Sequence, residues 1–238
     1  MTVCIKKTAY HEPSLGVGLT ATHIFDAAAA HYRARLTGPG GAGEGASSGA
    51  GARASAGSAG GSGADVDTGE LLIPIPASRT IVVEVGATGV GRVPQAGQNA
   101  LDGGTSRIID SEHGTWNAGG GSGGQHETSD NPPYLLTNQN GRPGIGYDPA
   151  GKVVGAGQPG GPAIALNLDG WMCAVGGQGA SSLRGRALEA VRQYTPGKQQ
   201  GSDAEGYGAG GGGSVSIDAG DIRGGHASGG EVEIAEYA

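Results

Sequence analysis

The sequence predicts a mainly β fold in which glycine-rich extended segments, of polyglycine or polyproline II type, alternate with short strands. The body is expected to be β-sandwich-like or a sandwich of polyglycine helices. Three observations predict this. Glycine occupies 52 of 238 positions and, with 12 prolines, exceeds a quarter of the chain, far above ordinary globular usage. The glycines fall in blocks, such as Gly57-Ser58-Ala59-Gly60-Gly61-Ser62-Gly63 and Gly208-Ala209-Gly210-Gly211-Gly212-Gly213-Ser214, separated by short alternating apolar stretches. Large side chains are scarce: Phe25 is the one phenylalanine and Trp116 and Trp171 are the two tryptophans, so an aromatic core cannot extend through the whole chain. Backbone hydrogen bonding must carry much of the structure, because glycine forfeits more entropy on ordering than any other residue.

The elements follow in order. Residues 1–37 hold little glycine and end in the strand-like His31-Tyr32-Arg33-Ala34-Arg35-Leu36-Thr37, while Asp26 before Ala27 is placed to cap a single helical turn. The first glycine block, 38–64, lacks a glycine at every third position, which excludes collagen. Leu71-Leu72-Ile73-Pro74-Ile75-Pro76 reads as an edge strand, because each proline removes a ladder donor. Thr80-Ile81-Val82-Val83-Glu84-Val85 is a better strand, and Arg107-Ile108-Ile109 a short one. Polar irregularity concentrates in 110–150, with turn signals at Pro132-Pro133 and Asn140-Gly141. A run from Ala163 to Leu168 leads through Asp169-Gly170, a hairpin turn, into Trp171-Met172-Cys173-Ala174-Val175. One short helix is expected near 182–195, from Ser182 through Leu183, Ala187, Leu188 and Val191, stopped by Pro196-Gly197. The strict alternation of Glu231-Val232-Glu233-Ile234-Ala235-Glu236-Tyr237 marks the clearest strand. The domain reading is 1–37 as an N-terminal attachment segment with the first strand, and 38–238 as a glycine-rich β domain with a polar, aromatic insertion at 110–150.

Glycine blocks can fold cooperatively. A left-handed extended helix of three residues per turn has no internal hydrogen bonds, so its N–H and C=O groups project sideways toward neighbours. Without side chains, such backbones approach closely and exchange N–H···O bonds. The connecting loops then crowd at the two ends of the bundle, where functional residues are expected.

Charge and motifs exclude several functions. A formal charge of −7 and a pI near 5.3 argue against nucleic acid, and Arg33 and Arg35, at alternate positions, read as a solvated face. Cys4 and Cys173 are too far apart for metal spacing or a disulfide framework and read as isolated buried thiols. No apolar run follows Lys6-Lys7, so no secretory signal is visible, and no stretch reaches membrane-spanning length; the protein is expected to be soluble and made in a cytoplasm. Val85-Gly86-Ala87-Thr88-Gly89-Val90-Gly91 follows a strand but opens no helix, as a dinucleotide turn must. In Gly157-Gln158-Pro159-Gly160-Gly161-Pro162 proline stands where a protease serine would be. The six histidines lack metal-ligand spacing, and His113 and His126, beside Glu112 and Glu127, sit in loop-like sequence. Asp110 with Glu112 is the nearest approach to a carboxylate pair. No enzyme, cofactor or metal is expected.

The ordered blocks resemble the glycine-rich domain of bacteriophage tail-fibre tip and host-specificity (adhesin) proteins. The resemblance runs over most of the chain. It is carried by Tyr32-Arg33-Ala34-Arg35-Leu36-Thr37-Gly38-Pro39-Gly40-Gly41, by Thr80 to Gly86, and by Asp102-Gly103-Gly104-Thr105-Ser106. It continues in Gly160-Gly161-Pro162, Gly177-Gln178-Gly179-Ala180-Ser181-Ser182 and Gly206-Tyr207-Gly208-Ala209-Gly210-Gly211-Gly212-Gly213 before the last strand. The sequence departs from the family pattern at 110–150 and at 182–195. The resemblance implies a virion protein of the tail or fibre, docked through residues 1–30 on other phage tail or fibre proteins. It further implies a homotrimer or a cap on a trimeric fibre, binding a host surface glycan or outer-membrane protein. Trp116, Tyr134, Tyr147, Tyr194 and Tyr207 are the receptor-binding candidates, since aromatics in polar loops suit sugar faces and interface anchors. The alternative is a structural virion component, a collar, neck-fibre or capsid decoration protein, that reads no receptor.

Overall fold

The computed structural model describes residues 3–48, 53–69, 72–94, 98–128, 134–137, 140–168 and 171–238, with the backbone alone for 126–128 and 134–137. The chain is mainly β, and every pair of named strands is antiparallel. Among the described residues the strands build four sheets and one short ribbon. Sheet I runs in the order Cys4–His11, Glu231–Tyr237, His31–Thr37, Asp65–Asp67, with Ile73–Pro74 also paired to His31–Thr37. Sheet II runs Val153–Ala156, Ile145–Tyr147, Gly114–Ala118, Ser106–Asp110, Thr80–Val85, Leu19–Ile24. Sheet III runs His126–Thr128, Ala54–Gly57, Val215–Ile217, Gly197–Gln199, and sheet IV runs Tyr134–Thr137, Ile164–Leu168, Trp171–Val175, Arg192–Gln193. Gly185–Arg186 and Glu205–Gly206 form the ribbon.

Among the described residues two cores result, of different composition. Tyr32, Leu36, Val66, Val232 and Ile234 of sheet I meet Ile81, Val83, Val85 and Ile108 of sheet II, with Phe25, which follows the sheet II strand Leu19–Ile24. The other core is dominated by alanine: Ala54, Ala56, Val215 and Ile217 of sheet III meet Ala163, Ala165 and Ala174 of the sheet IV side. The two ends are called here the aromatic-core end and the alanine-core end.

The glycine runs cross from one end to the other. Residues 58–64 lead from sheet III to sheet I, 119–125 from sheet II to sheet III, 157–163 from sheet II to sheet IV, and 140–144 enter sheet II from the sheet IV side. Their bonding repeats every three residues. Gly57, Gly60 and Gly63 donate their N–H to Ser214, Gly211 and Gly208; Ser58, Gly61 and Ala64 donate to Gln125, Ser122 and Gly119; Ala59 and Ser62 donate to Gly161 and Gln158. One run thus serves three neighbours in turn. Residues 38–46 do the same, with Gly38, Gly41 and Glu44 donating to Ala64, Gly61 and Ser58, and Gly40, Gly43 and Ala46 to Ser228, Gly225 and Ile222. Glycine is required here by proximity, since a Cβ on Gly60 would lie 1.9 Å from the Gly41 carbonyl oxygen. Buried backbone groups that would otherwise be orphaned are paired across the array.

Several expectations are corrected. The helix expected near 182–195 does not form: the segment is extended, with short strands at Gly185–Arg186 and Arg192–Gln193. Its carbonyls are taken by neighbours instead, Val191 O by Gly176 N–H and Arg184 O by Tyr207 N–H, so tertiary bonding overrides a propensity that Gly185 already weakens. Asp26 does not cap a helix; its carboxylate accepts the Ala28 N–H at 2.9 Å in a tight turn. Of the two thiols only Cys173 is buried, and Cys4 is exposed on the outer strand of sheet I. The Asp169-Gly170 hairpin and the Pro132-Pro133 turn lie outside the described residues.

The N-terminal segment is tied to the last strand. Tyr10 pairs in register with Val232 and His11 with Glu231. The wholly buried Glu236 accepts the Asp26 N–H at 2.7 Å and lies 3.2 Å from His23 Nε2 and 3.4 Å from Lys6 Nζ. Burial pushes the His23 imidazole below its ordinary range, and its Nδ1 sits 2.8 Å from the Tyr10 hydroxyl.

Candidate functional site

The five aromatic candidates lie at both ends of the molecule. Trp116, Tyr147 and Tyr207 are at the aromatic-core end, and Tyr134 and Tyr194 at the alanine-core end. Three are on strands, where loops were expected: Trp116 in Gly114–Ala118, Tyr134 in Tyr134–Thr137 and Tyr147 in Ile145–Tyr147. The side chains of Tyr134 and His126 lie outside the described residues.

Trp116 and Tyr147 occupy adjacent strands but opposite faces of sheet II. Trp116 registers with Ile108 and packs on the core, whereas Tyr147 registers with Asn117, one residue on, and is exposed. With Arg107 and Asn117, Tyr147 lines a shallow outer depression of about 230 Å³. Tyr207 is committed to its own protein. Its ring stacks on His11 with centroids 5.1 Å apart, and the Arg184 guanidinium lies 5.9 Å from its centroid. Arg184 in turn pairs with Glu231 and, at 3.6 Å, with Glu233. Gly206 and Gly208, with φ of 77° and 76°, provide the backbone that presents Tyr207 this way. On the same face Arg33 and Arg35 both bond Asp67, so this charged face is internally paired, and the arginine bonds hold the Asp67 carboxyl below its usual range.

The second environment is a pocket of about 300 Å³ beside Trp116, lined by Leu72, Ile73, Pro74, His113 and Trp116. Its one ionisable wall is fixed from behind. The buried Asp110 accepts the Tyr32 hydroxyl at 2.8 Å, the backbone N–H groups of Glu112 and His113, and the His113 Nδ1 at 3.0 Å. These donors outweigh burial and hold the Asp110 carboxyl below its ordinary range. Asp110 and Glu112 therefore do not face one another across a groove: the Glu112 carboxylate turns to the Ala77 N–H at 2.8 Å.

The alanine-core end carries a feature that the sequence reading missed. Trp171 is 50% exposed, Leu168 42% and Ile164 37%, all on the outer face of sheet IV. Leu168 registers with Trp171, and Ile164 with Val175, so they form one apolar stripe. Tyr194, 55% exposed, follows the neighbouring strand Arg192–Gln193. The signal was available: in Ala163-Ile164-Ala165-Leu166-Asn167-Leu168 small and large residues alternate, and here the small ones, Ala163, Ala165 and Asn167, are buried. Sheets III and IV are joined to the closely spaced glycine runs; Val215 and Ile217 of sheet III fill the space between them, and sheet IV meets them with alanine and turns Ile164, Leu168 and Trp171 outward.

Among the described residues no group of three His, Cys, Asp or Glu is placed to hold a metal, and no helix is long and apolar enough to cross a membrane. No protein-family model matches the chain, and no curated protein matches it significantly.

Proposed function

We propose that the protein is a phage virion protein, a tail-fibre tip or adhesin, that docks at its aromatic-core end and contacts a bacterial surface receptor with its alanine-core end. The finer fold reading belongs to the same proposal: the runs with three-residue bonding are polyglycine helices packed as a sandwich, flanked at both ends by paired sheets. The observation that carries the functional reading is the exposed stripe of Trp171, Leu168 and Ile164, at the opposite end from the N-terminal strand assigned to attachment. Exposed contiguous apolar surface on a rigid frame is the usual mark of an interaction site. Its composition favours an outer-membrane protein over a glycan, since three aliphatic or indole groups supply apolar contact and little polar recognition.

The reading is tested by competition. Purified protein should block adsorption of the phage that encodes it, and Trp171→Ala should abolish most of that block while leaving thermal stability nearly unchanged. Loss of a central aromatic anchor costs roughly 2 kcal/mol, about thirtyfold in affinity. If the wild-type protein does not compete, or the variant competes equally, the stripe is not the receptor face. Particles that lack the protein yet adsorb normally would favour the collar or decoration reading.

A further inference from the structure

We propose that the pocket beside Trp116 is a binding site for a phenol ring, the side chain of a tyrosine carried by a partner protein. This goes beyond the receptor reading and is independent of it, because the pocket lies at the other end of the molecule and its chemistry holds whatever protein supplies the ring.

The walls set the class of ligand. Leu72, Ile73, Pro74 and the indole of Trp116 make an apolar chamber of about 300 Å³, at the small end of ligand sites and suited to a single ring. A pyranose would bring four or five hydroxyl groups against these walls, and hydroxyls buried without partners are costly. An aromatic ring brings none but the one it can bond. Ring stacking or edge contact on Trp116 adds to the area term.

One polar group then selects among aromatic rings. An ionised Asp110 has no proton to give, so the contact of 3.0 Å requires His113 to donate from Nδ1. In the neutral imidazole this leaves Nε2 as an acceptor, and no partner occupies it among the described residues. The indole Nε1 of Trp116 is buried, so a ligand in the pocket does not reach it. A phenolic hydroxyl can donate to the His113 acceptor, whereas a phenylalanine ring has nothing to donate and an indole is larger than a single ring. Phenol is thus the ring whose size and functional group complement the pocket.

The test uses small probes on the whole protein. The two indole N–H signals in a ¹H–¹⁵N spectrum are assigned with Trp171→Phe, and p-cresol, toluene and methyl β-D-glucopyranoside are titrated in turn. The expected result is a saturable shift of the Trp116 indole signal with p-cresol, a smaller effect with toluene and none with the glucoside. His113→Phe keeps a ring but removes the acceptor, and the preference for p-cresol over toluene should fall about fivefold, the equivalent of one ordinary hydrogen bond. Absence of saturable binding in the wild-type protein overturns the proposal without any variant. Tighter binding of the glucoside would reassign the pocket to saccharide, and an unchanged preference in His113→Phe would remove His113 from recognition.

Discussion

Gly60→Ala tests the glycine array at its centre. Gly60 lies in the run 58–64, and an added Cβ would stand 1.9 Å from the Gly41 carbonyl oxygen and 2.4 Å from its carbon. Reaching ordinary contact requires the backbone to part by roughly 1.5 Å. That run cannot part locally, because Gly41 N–H bonds Gly61 O and Glu44 N–H bonds Ser58 O, each at 2.9 Å, on either side of the clash. Stretching both bonds beyond hydrogen-bond range leaves buried donors and acceptors unpaired, which adds up to about 4 kcal/mol, a loss that point substitutions rarely reach. Gly151→Ala is the control: its φ is 78° and nothing lies within 4 Å, so only the backbone term of about 1 kcal/mol applies. Urea unfolding of both variants measures the difference. Equal losses would show that close backbone approach does not hold the runs together.

Glu44 gives a pH prediction. Its carboxyl is wholly buried and pushed up to about 7 from an ordinary 4.5, burial outweighing the Gly45 N–H bond and the attraction of Arg92. The folded state therefore binds the proton more tightly than the unfolded chain. The contribution of Glu44 is fully present below about pH 4.5 and is lost progressively as pH rises through about 7, where the buried carboxyl is half ionised. Glu44→Gln should remove that slope and gain up to about 3 kcal/mol at pH 8 while changing little at pH 5; parallel pH curves for the two proteins would contradict it. Tyr32→Phe should cost about 2 kcal/mol in chemical denaturation, because it deletes a buried donor to the Asp110 carboxylate, and a neutral effect would mean that the remaining donors suffice.

Much of the architecture was readable because two signals are local. Period-two alternation in Glu231–Tyr237 and Thr80–Val85 announced strands, and both form. Glycine blocks announced close backbone packing, but which run meets which is set by a three-residue bonding register that composition does not encode. The segment 182–195 was misread because its helical spacing is a local preference, outvoted by backbone bonds from Gly176 and Tyr207. Site residues were harder still. Selecting aromatics in polar stretches picked out Trp116, whose ring packs on the core, and Tyr207, held by His11 and Arg184, while passing over Trp171 in an apolar strand. Apolar strands are usually taken to point their large side chains inward, and in sheet IV, which lines its core with alanine, the opposite holds for Ile164, Leu168 and Trp171.

Position in the particle tests the functional account most directly. Tyr194 is exposed at the alanine-core end and Cys173 is buried, its thiol pushed up by burial, so Cys4→Ser with Tyr194→Cys leaves one accessible thiol at that end. Gold attached there and imaged on intact particles should appear at the outermost ends of tail fibres, facing away from the particle. Gold on the neck or capsid, or at the fibre attachment point, would contradict the proposal that this end meets the host.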